Sequence, residues 1–215
     1  MKKERLKQLD QEEREREKRR NHSDAYHRHF EGYSEFYQVD PDSGKAGIKR
    51  VYTGEYYIRD MDRTQRILLR LTLTLTWLGA CVVFLLCASR PVSSNSNWYV
   101  AAAQVGCIVG LVWAAIGLAN CWTVPVKMTV GDWRSSSERL RNGSVCAAVF
   151  FAVCAAATLL DYFLGDKGTG THFICSAGFL LCCGFMILVY RLESKARYKK
   201  EQSEECAPKG AAHIR

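Results

Sequence analysis

The sequence predicts an all-α membrane protein, a bundle of four transmembrane helices with both termini in the cytoplasm. Three observations support this prediction: four long apolar runs, an uneven distribution of Lys and Arg around them, and a charged, aromatic segment before the first run. A helix needs about 20 apolar residues to cross a hydrocarbon core about 30 Å thick. Each run is close to that length, whereas the first 66 residues contain no long apolar stretch.

The predicted spans form a transmembrane domain of residues 67–190 and cover residues 67–88, 98–122, 144–164 and 173–190. The first span carries only Arg70, near its start, where a long side chain can reach the headgroups. Trp98 and Trp122 mark the two ends of the second, as expected for rings at membrane interfaces. The third and fourth contain no charge except Asp161, near the end of the third. Buried helices of a soluble protein would need polar faces, which these segments lack.

The positions of the basic residues predict the orientation. Of 30 Lys and Arg residues, only Arg90 and Lys167 lie in the connections that follow the first and third spans. Because basic residues in short loops are retained on the cytoplasmic side, the N-terminal segment, the connection 123–143 and the tail 191–215 are predicted to be cytoplasmic. We expect the plasma (cell) membrane as the location. The long hydrophilic stretch before the first span predicts no cleavable signal peptide.

Residues 1–20 are nearly all charged and are predicted to form an exposed cytoplasmic helix. Opposite charges stand four residues apart, a spacing that stabilises a helix; the pairs are Asp10 with Arg14, Glu12 with Arg16, and Glu15 with Arg19. The interleaved acids dilute the positive charge. Binding of this segment to anionic lipid or to nucleic acid is the alternative, but neither is strongly indicated, and we do not expect a nucleic-acid partner.

Residues 21–66 form an aromatic and basic juxtamembrane arm. Two aromatic, β-branched runs surround the turn-rich PDSGK at residues 41–45, which predicts a short β-hairpin. Two strands alone are marginally stable. We therefore expect the arm to pack on the membrane surface, on the connection 123–143 or on another chain. The candidate partner-binding residues are its aromatic side chains, Tyr33, Phe36, Tyr37, Tyr52, Tyr56 and Tyr57. Asp62 followed by Gln65 predicts a capping box that starts the first helix.

The second span carries a small-residue face that predicts close helix packing. Gly106 and Gly110 form a GxxxG, extended by Ala114 and Gly117. The face has two interpretations, packing within the bundle or contact in a homo-oligomer. Gln104 joins these packing candidates because an isolated Gln at membrane depth commonly bonds to a neighbouring helix. A similar small-residue repeat, Ala148, Ala152 and Ala156, lies on the third span.

No catalytic, cofactor or metal site is predicted. The chain has no P-loop, HExxH, GxSxG or dinucleotide fingerprint, so we do not expect an enzyme. Ser135 with Glu138 is interpreted as a capping box. The spacing of His22, Asp24, His27 and His29 matches no metal site. Nine of the ten cysteines lie in or at the edges of the spans, where Cys acts as a small apolar residue. No CxxC occurs, so no redox function is assigned.

Two functional hypotheses remain. The first is an accessory or scaffold subunit that binds a cytoplasmic or membrane partner through residues 26–58, because only the cytoplasmic side has enough residues to recognise a partner. The alternative is a small oligomeric transporter or channel built around Gln104 and the threonines of the first span, Thr72, Thr74 and Thr76. Ionisable or strongly polar groups at membrane depth are typical of transport proteins, and they are few here.

Overall fold

The structure is a computed structural model that describes residues 31–39, 46–164, 170–202 and 212–213. The predicted helix 1–20, the His22 to His29 cluster and the predicted turn 41–45 lie outside the described residues. The chain divides into two compact units. We call the described residues of Met1–Tyr57, Met128–Gly131 and Lys200–Arg215 the arm unit, and Ile58–Lys127 with Asp132–Lys199 the bundle unit.

Among the described residues, four helices are long and apolar enough to cross a membrane, as predicted. The helices are α1 (Arg63–Ala88), α2 (Trp98–Thr123), α3 (Val130–Trp133), α4 (Arg139–Leu164) and α5 (Gly170–Ser194). A π-helical turn, Arg134–Glu138, joins α3 to α4, so that Val130–Phe163 is one continuous helix. A short 3₁₀ turn, Ser93–Ser96, precedes α2.

The third long helix starts before the predicted span 144–164. The helix begins at Val130 rather than at residue 144, and the connection before it shrinks to residues 124–129. Ser135 does not cap a helix but lies within the π turn, where its Oγ donates to the carbonyl of Asp132 (3.1 Å). Apolar content locates only the part of a helix that crosses hydrocarbon, and here the polar turns that precede it continue the same helix.

The capping box predicted for α1 is confirmed. Asp62 is the N-cap residue, and its backbone amide donates to Oε1 of Gln65 (3.4 Å). Residue Arg63 therefore starts the helix, four residues before the apolar run. The polar first turn is anchored by this exchange of hydrogen bonds.

Within the bundle unit, α2 packs on α4, α4 on α5, and α5 on α1, while α1 and α2 share a smaller interface. Three buried aromatic rings form the centre of this packing, with Phe84 5.7 Å from Phe151 and 6.4 Å from Phe179 between ring centroids. The outward faces are apolar as well: on α1, Leu75 and Leu85 are 67% and 63% exposed. Such a continuous apolar exterior matches a helix surrounded by lipid.

The predicted hairpin is confirmed. Strands β1 (Tyr33–Val39) and β2 (Ala46–Tyr52) pair antiparallel, with Tyr33 opposite Tyr52 and Val39 opposite Ala46. The described residues contain four further strands: β3 (Glu55–Arg59), β4 (Lys127–Met128), β5 (Tyr198–Gln202) and β6 (Ala212–His213). The residues of β3 lie at the end of the second predicted run, whereas β4, β5 and β6 were not predicted. The two sheets have the orders β2-β1-β6 and β4-β3-β5. Short strands such as β4, and charged ones such as β5, lack the apolar alternation that signals a strand.

Candidate functional site

A buried polar cluster lies in the bundle unit, where the chain enters α1 and leaves α5. We call Arg59, Ser137, Glu193 and Tyr198 the latch cluster. Arg59 and Glu193 form an ion pair of 2.6 Å between Nη2 and Oε1, with side chains only 6% and 0% exposed. Ser137 Oγ (2.6 Å) and the Tyr198 hydroxyl (2.7 Å) donate to the same carboxylate oxygen. Arg59 Nε donates to the Tyr198 hydroxyl (2.9 Å), so all four side chains are connected.

Each member of the latch cluster comes from a different element. Arg59 ends β3, Ser137 lies in the π turn, Glu193 is in the last turn of α5, and Tyr198 starts β5. A backbone bond from Asp60 N–H to the carbonyl of Arg197 (3.1 Å) joins the same strands. The cluster therefore holds the segments that flank the four helices together at one end of the bundle.

The electrostatics of the latch cluster favour the protonated forms of Arg59 and Tyr198. Burial is the largest single effect on the pKa of Arg59 and acts to lower it, but attraction to Glu193, together with smaller effects of Tyr198 and Cys121, outweighs burial and the pKa is raised. Burial raises the pKa of Tyr198, and the nearby Glu193 raises it further. Arg59 thus stays charged and Tyr198 keeps the proton that it donates. A buried ion pair held by additional hydrogen bonds favours one arrangement of its elements, because losing either partner strands a charge.

A second polar group surrounds Asp161 at the other end of the bundle unit. Its Oδ1 accepts hydrogen bonds from Asn97 Nδ2 (2.8 Å) and from the Tyr99 hydroxyl (3.1 Å). Nε2 of the buried His172 lies 3.9 Å from Oδ2. These contacts connect the start of α2 with α4 and α5, so the one acid within the predicted spans has partners from the protein itself.

Gln104 lies near this end and donates from Nε2 to Oδ1 of Asn95 (3.0 Å). Asn95 in turn donates to the carbonyl of Arg90 (2.9 Å). The predicted polar residue of α2 therefore bonds to the connection that leads out of α1. This bond orders a short loop and requires no ligand.

The small-residue face of α2 lies against α4 of the same chain. A Cβ atom at Gly110 would stand 2.6 Å from the backbone nitrogen of Ala147, and one at Gly117 would stand 2.5 Å from that of Leu140. Gly106 faces the ring of Phe150, and Ala114 is fully buried. All four small-residue candidates on α2 are thus occupied by packing within one bundle.

The aromatic residues of the arm have different environments. Tyr52 is buried; its hydroxyl donates to the carbonyl of Glu55 (2.8 Å) and accepts from the amide of Val130 (3.2 Å). The Tyr52 ring packs on Tyr33 (5.1 Å) and Tyr56 (4.8 Å) between centroids. Tyr52 therefore belongs to the core of the arm unit.

The outward aromatic surface of the arm unit includes Tyr33, which is exposed, and Tyr57, which is partly exposed. Lys200 stands over the Tyr57 ring (5.4 Å from Nζ to the centroid) and pairs with Glu55 (2.7 Å). Phe36 and Tyr37 occupy β1, opposite Lys49 and Ile48 of β2. The arm unit thus combines an ordered hairpin with aromatic and charged groups at its surface.

Sequence analysis did not identify the latch cluster. Arg59 and Glu193 are 134 positions apart, and each looks like an ordinary flanking charge at the edge of an apolar run. The one available signal was the position of Glu193 just beyond the fourth span, where a carboxylate close to hydrocarbon needs a partner. Comparison with protein families, curated proteins and solved structures finds no match for the chain.

Proposed function

We propose that this protein is an accessory or scaffold subunit of the plasma membrane that binds a protein partner on the cytoplasmic side through its arm unit. One observation carries the proposal. The polar side chains at membrane depth, Gln104 and the threonines of α1, bond to the protein itself. The arm, in contrast, folds as a separate unit with aromatic and charged groups at its surface. The bundle then acts as an anchor and the arm as the recognition element.

The threonines of α1 illustrate this internal bonding. Thr72, Thr74 and Thr76 donate to the carbonyls four residues earlier in the same helix, at 2.9, 2.8 and 2.8 Å. Such bonds satisfy the hydroxyls without a ligand. A transport path needs polar groups that face water or substrate, and the threonines and Gln104 are instead used in local structure.

The charge distribution of the bundle unit supports a cytoplasmic position for the latch-cluster end. Basic residues concentrate there, near the starts of α1 and α4, the end of α2 and the end of α5; they are Arg59, Arg63, Arg66, Arg70, Lys127, Arg134, Arg139, Arg141, Arg191, Lys195, Arg197 and Lys199. The described connection between α1 and α2 carries only Arg90. By the positive-inside rule, the arm and the segment after α5 face the cytoplasm. Reporter fusions after Arg215 test this orientation. We expect a fluorescent protein fused there to fluoresce. A phosphatase that is active only outside the cytoplasm should stay inactive at the same position.

Site-specific photo-cross-linking tests the proposed recognition surface. A photoreactive amino acid replaces Tyr33 or Tyr57 in the arm unit, and Leu75, which is 67% exposed on α1, serves as the control. We expect both arm positions to capture the same protein on the cytoplasmic side, and the Leu75 position not to capture it. Cross-links to a second copy of this chain alone, or equal capture from Leu75, would contradict the proposal.

A further inference from the structure

An apolar groove of about 310 Å³ opens between α4 and α5. Its walls include Val145, Ala148 and Ala152 on α4, and Cys183, Ile187 and Tyr190 on α5. The small side chains of Ala148 and Ala152 leave the space that the groove occupies. Ser144 also lines it, but its hydroxyl donates to the carbonyl of Leu140 (2.7 Å) and so offers the groove no free donor. The groove therefore suits hydrocarbon and not a polar substrate.

The groove has a basic group at one end. Arg141 places its guanidinium 5.5 Å from the ring centroid of Tyr190, which lines the groove, and lies three residues before Ser144 on α4. In the described part of the chain, Nε of Arg141 is buried without a hydrogen-bond partner, while the same side chain also hydrogen-bonds to Tyr190. From Ser144 to Ala152 the groove follows α4 for roughly 12 Å, at 1.5 Å per residue. It thus runs from a cation near the latch-cluster end into the apolar zone.

We propose that this groove binds an anionic phospholipid of the surrounding membrane, with an acyl chain along Ala148 and Ala152 and the phosphate on Arg141. The apolar lining of the groove fits an acyl chain, and the positive charge of Arg141 fits an anionic headgroup. Anionic headgroups are enriched in the cytoplasmic leaflet, and basic residues between helices at that depth attract them. The inference rests on the membrane orientation proposed above but requires no protein partner, so it is independent of the role proposed for the arm.

Native mass spectrometry of the full-length protein in neutral detergent tests the site. The probes are phosphatidylglycerol and phosphatidylcholine with identical acyl chains. We expect wild type to retain phosphatidylglycerol preferentially. Arg141→Gln lowers that retention about fivefold, the factor for one basic residue at an anionic surface, and abolishes the preference. Ala152→Phe fills the groove and lowers retention of both lipids.

Two matched variants control for charge and for bulk. Arg139→Gln removes an exposed cation two residues away, and Val153→Phe enlarges an exposed side chain of α4 that does not line the groove. Both are expected to retain phosphatidylglycerol more strongly than Arg141→Gln and Ala152→Phe do. Equal retention of the two lipids by wild type, or equal effects of test and control variants, overturns the proposal. Conversion of a dimer to a monomer by Ala152→Phe, with lipid retention unchanged, overturns it in favour of a second copy as the occupant.

Discussion

At the residue scale, the Arg59–Glu193 pair makes the stability of the bundle depend on charge matching. Both side chains are almost fully buried, so Arg59→Ala strands the carboxylate of Glu193 away from water. We expect Arg59→Ala to lower the free energy of unfolding by about 3–5 kcal/mol, the range for breaking a buried ion pair. Chemical unfolding of the detergent-solubilised protein measures this change.

Two controls separate the buried pair from charge effects in general. Lys199 pairs with Asp60 at 2.9 Å, but both side chains are at least half exposed, so Lys199→Ala should cost less than about 1 kcal/mol. Replacing Arg59 and Glu193 together by Met removes both charges and should restore most of the lost stability. A double variant as unstable as Arg59→Ala would show that the pair is not the cause.

Tyr198 gives the latch cluster a pH dependence in the alkaline range. Burial and Glu193 raise its pKa in the folded protein, whereas the unfolded side chain titrates near its usual value of about 10. The stabilisation that results from the raised pKa of Tyr198 is fully present below pH ~10. As pH rises above that value, the unfolded state loses the proton first and the folded state is destabilised by about 1.4 kcal/mol per pH unit. Wild type should therefore lose stability relative to Tyr198→Phe above pH ~10, as measured by unfolding at a series of pH values. A stability difference between the two proteins that does not change with pH would contradict this assignment.

At the element scale, the α2–α4 interface depends on glycine where the two backbones approach. Gly110→Ala places a methyl group 2.6 Å from the backbone of Ala147, which cannot move without shifting α4. We expect a loss of about 1–3 kcal/mol, typical of overpacking. Gly184→Ala on α5 is the matched control because a Cβ there meets no atom within 4 Å. Equal melting temperatures for the two variants would show that this contact is not tight.

The elements also show which parts of the fold can be predicted from sequence. Four helices were predictable because a membrane span needs a local apolar run, and the β1–β2 hairpin because its strands surround a turn signal. The start of the third long helix at Val130 was not predictable, because polar residues such as Arg134 and Glu138 continue the helix without giving a hydropathy signal. The latch cluster depends on tertiary placement: nothing near Glu193 in sequence indicates that Arg59, 134 positions away, will reach it.

At the scale of the whole molecule, the bundle and the arm should be separable by substitution. The proposal predicts that Gln104→Leu, which removes the bond to Asn95, leaves partner binding intact, while deletion of residues 1–58 abolishes it. Cross-linking and co-purification in the native membrane check partner binding, and the melting temperature checks that each variant is folded. If Gln104→Leu removed activity in a flux assay and the deletion did not, the transporter alternative would replace the accessory role.

The most direct test of the accessory role is the native mass of the full-length protein extracted gently from its own membrane, with identification of every component. The proposal predicts a second protein in fixed stoichiometry, and cross-links from Tyr33 and Tyr57 should lead to that same protein. A particle that contains only this chain, as a monomer or a homo-oligomer, would contradict the accessory role and shift the assignment to the bundle itself.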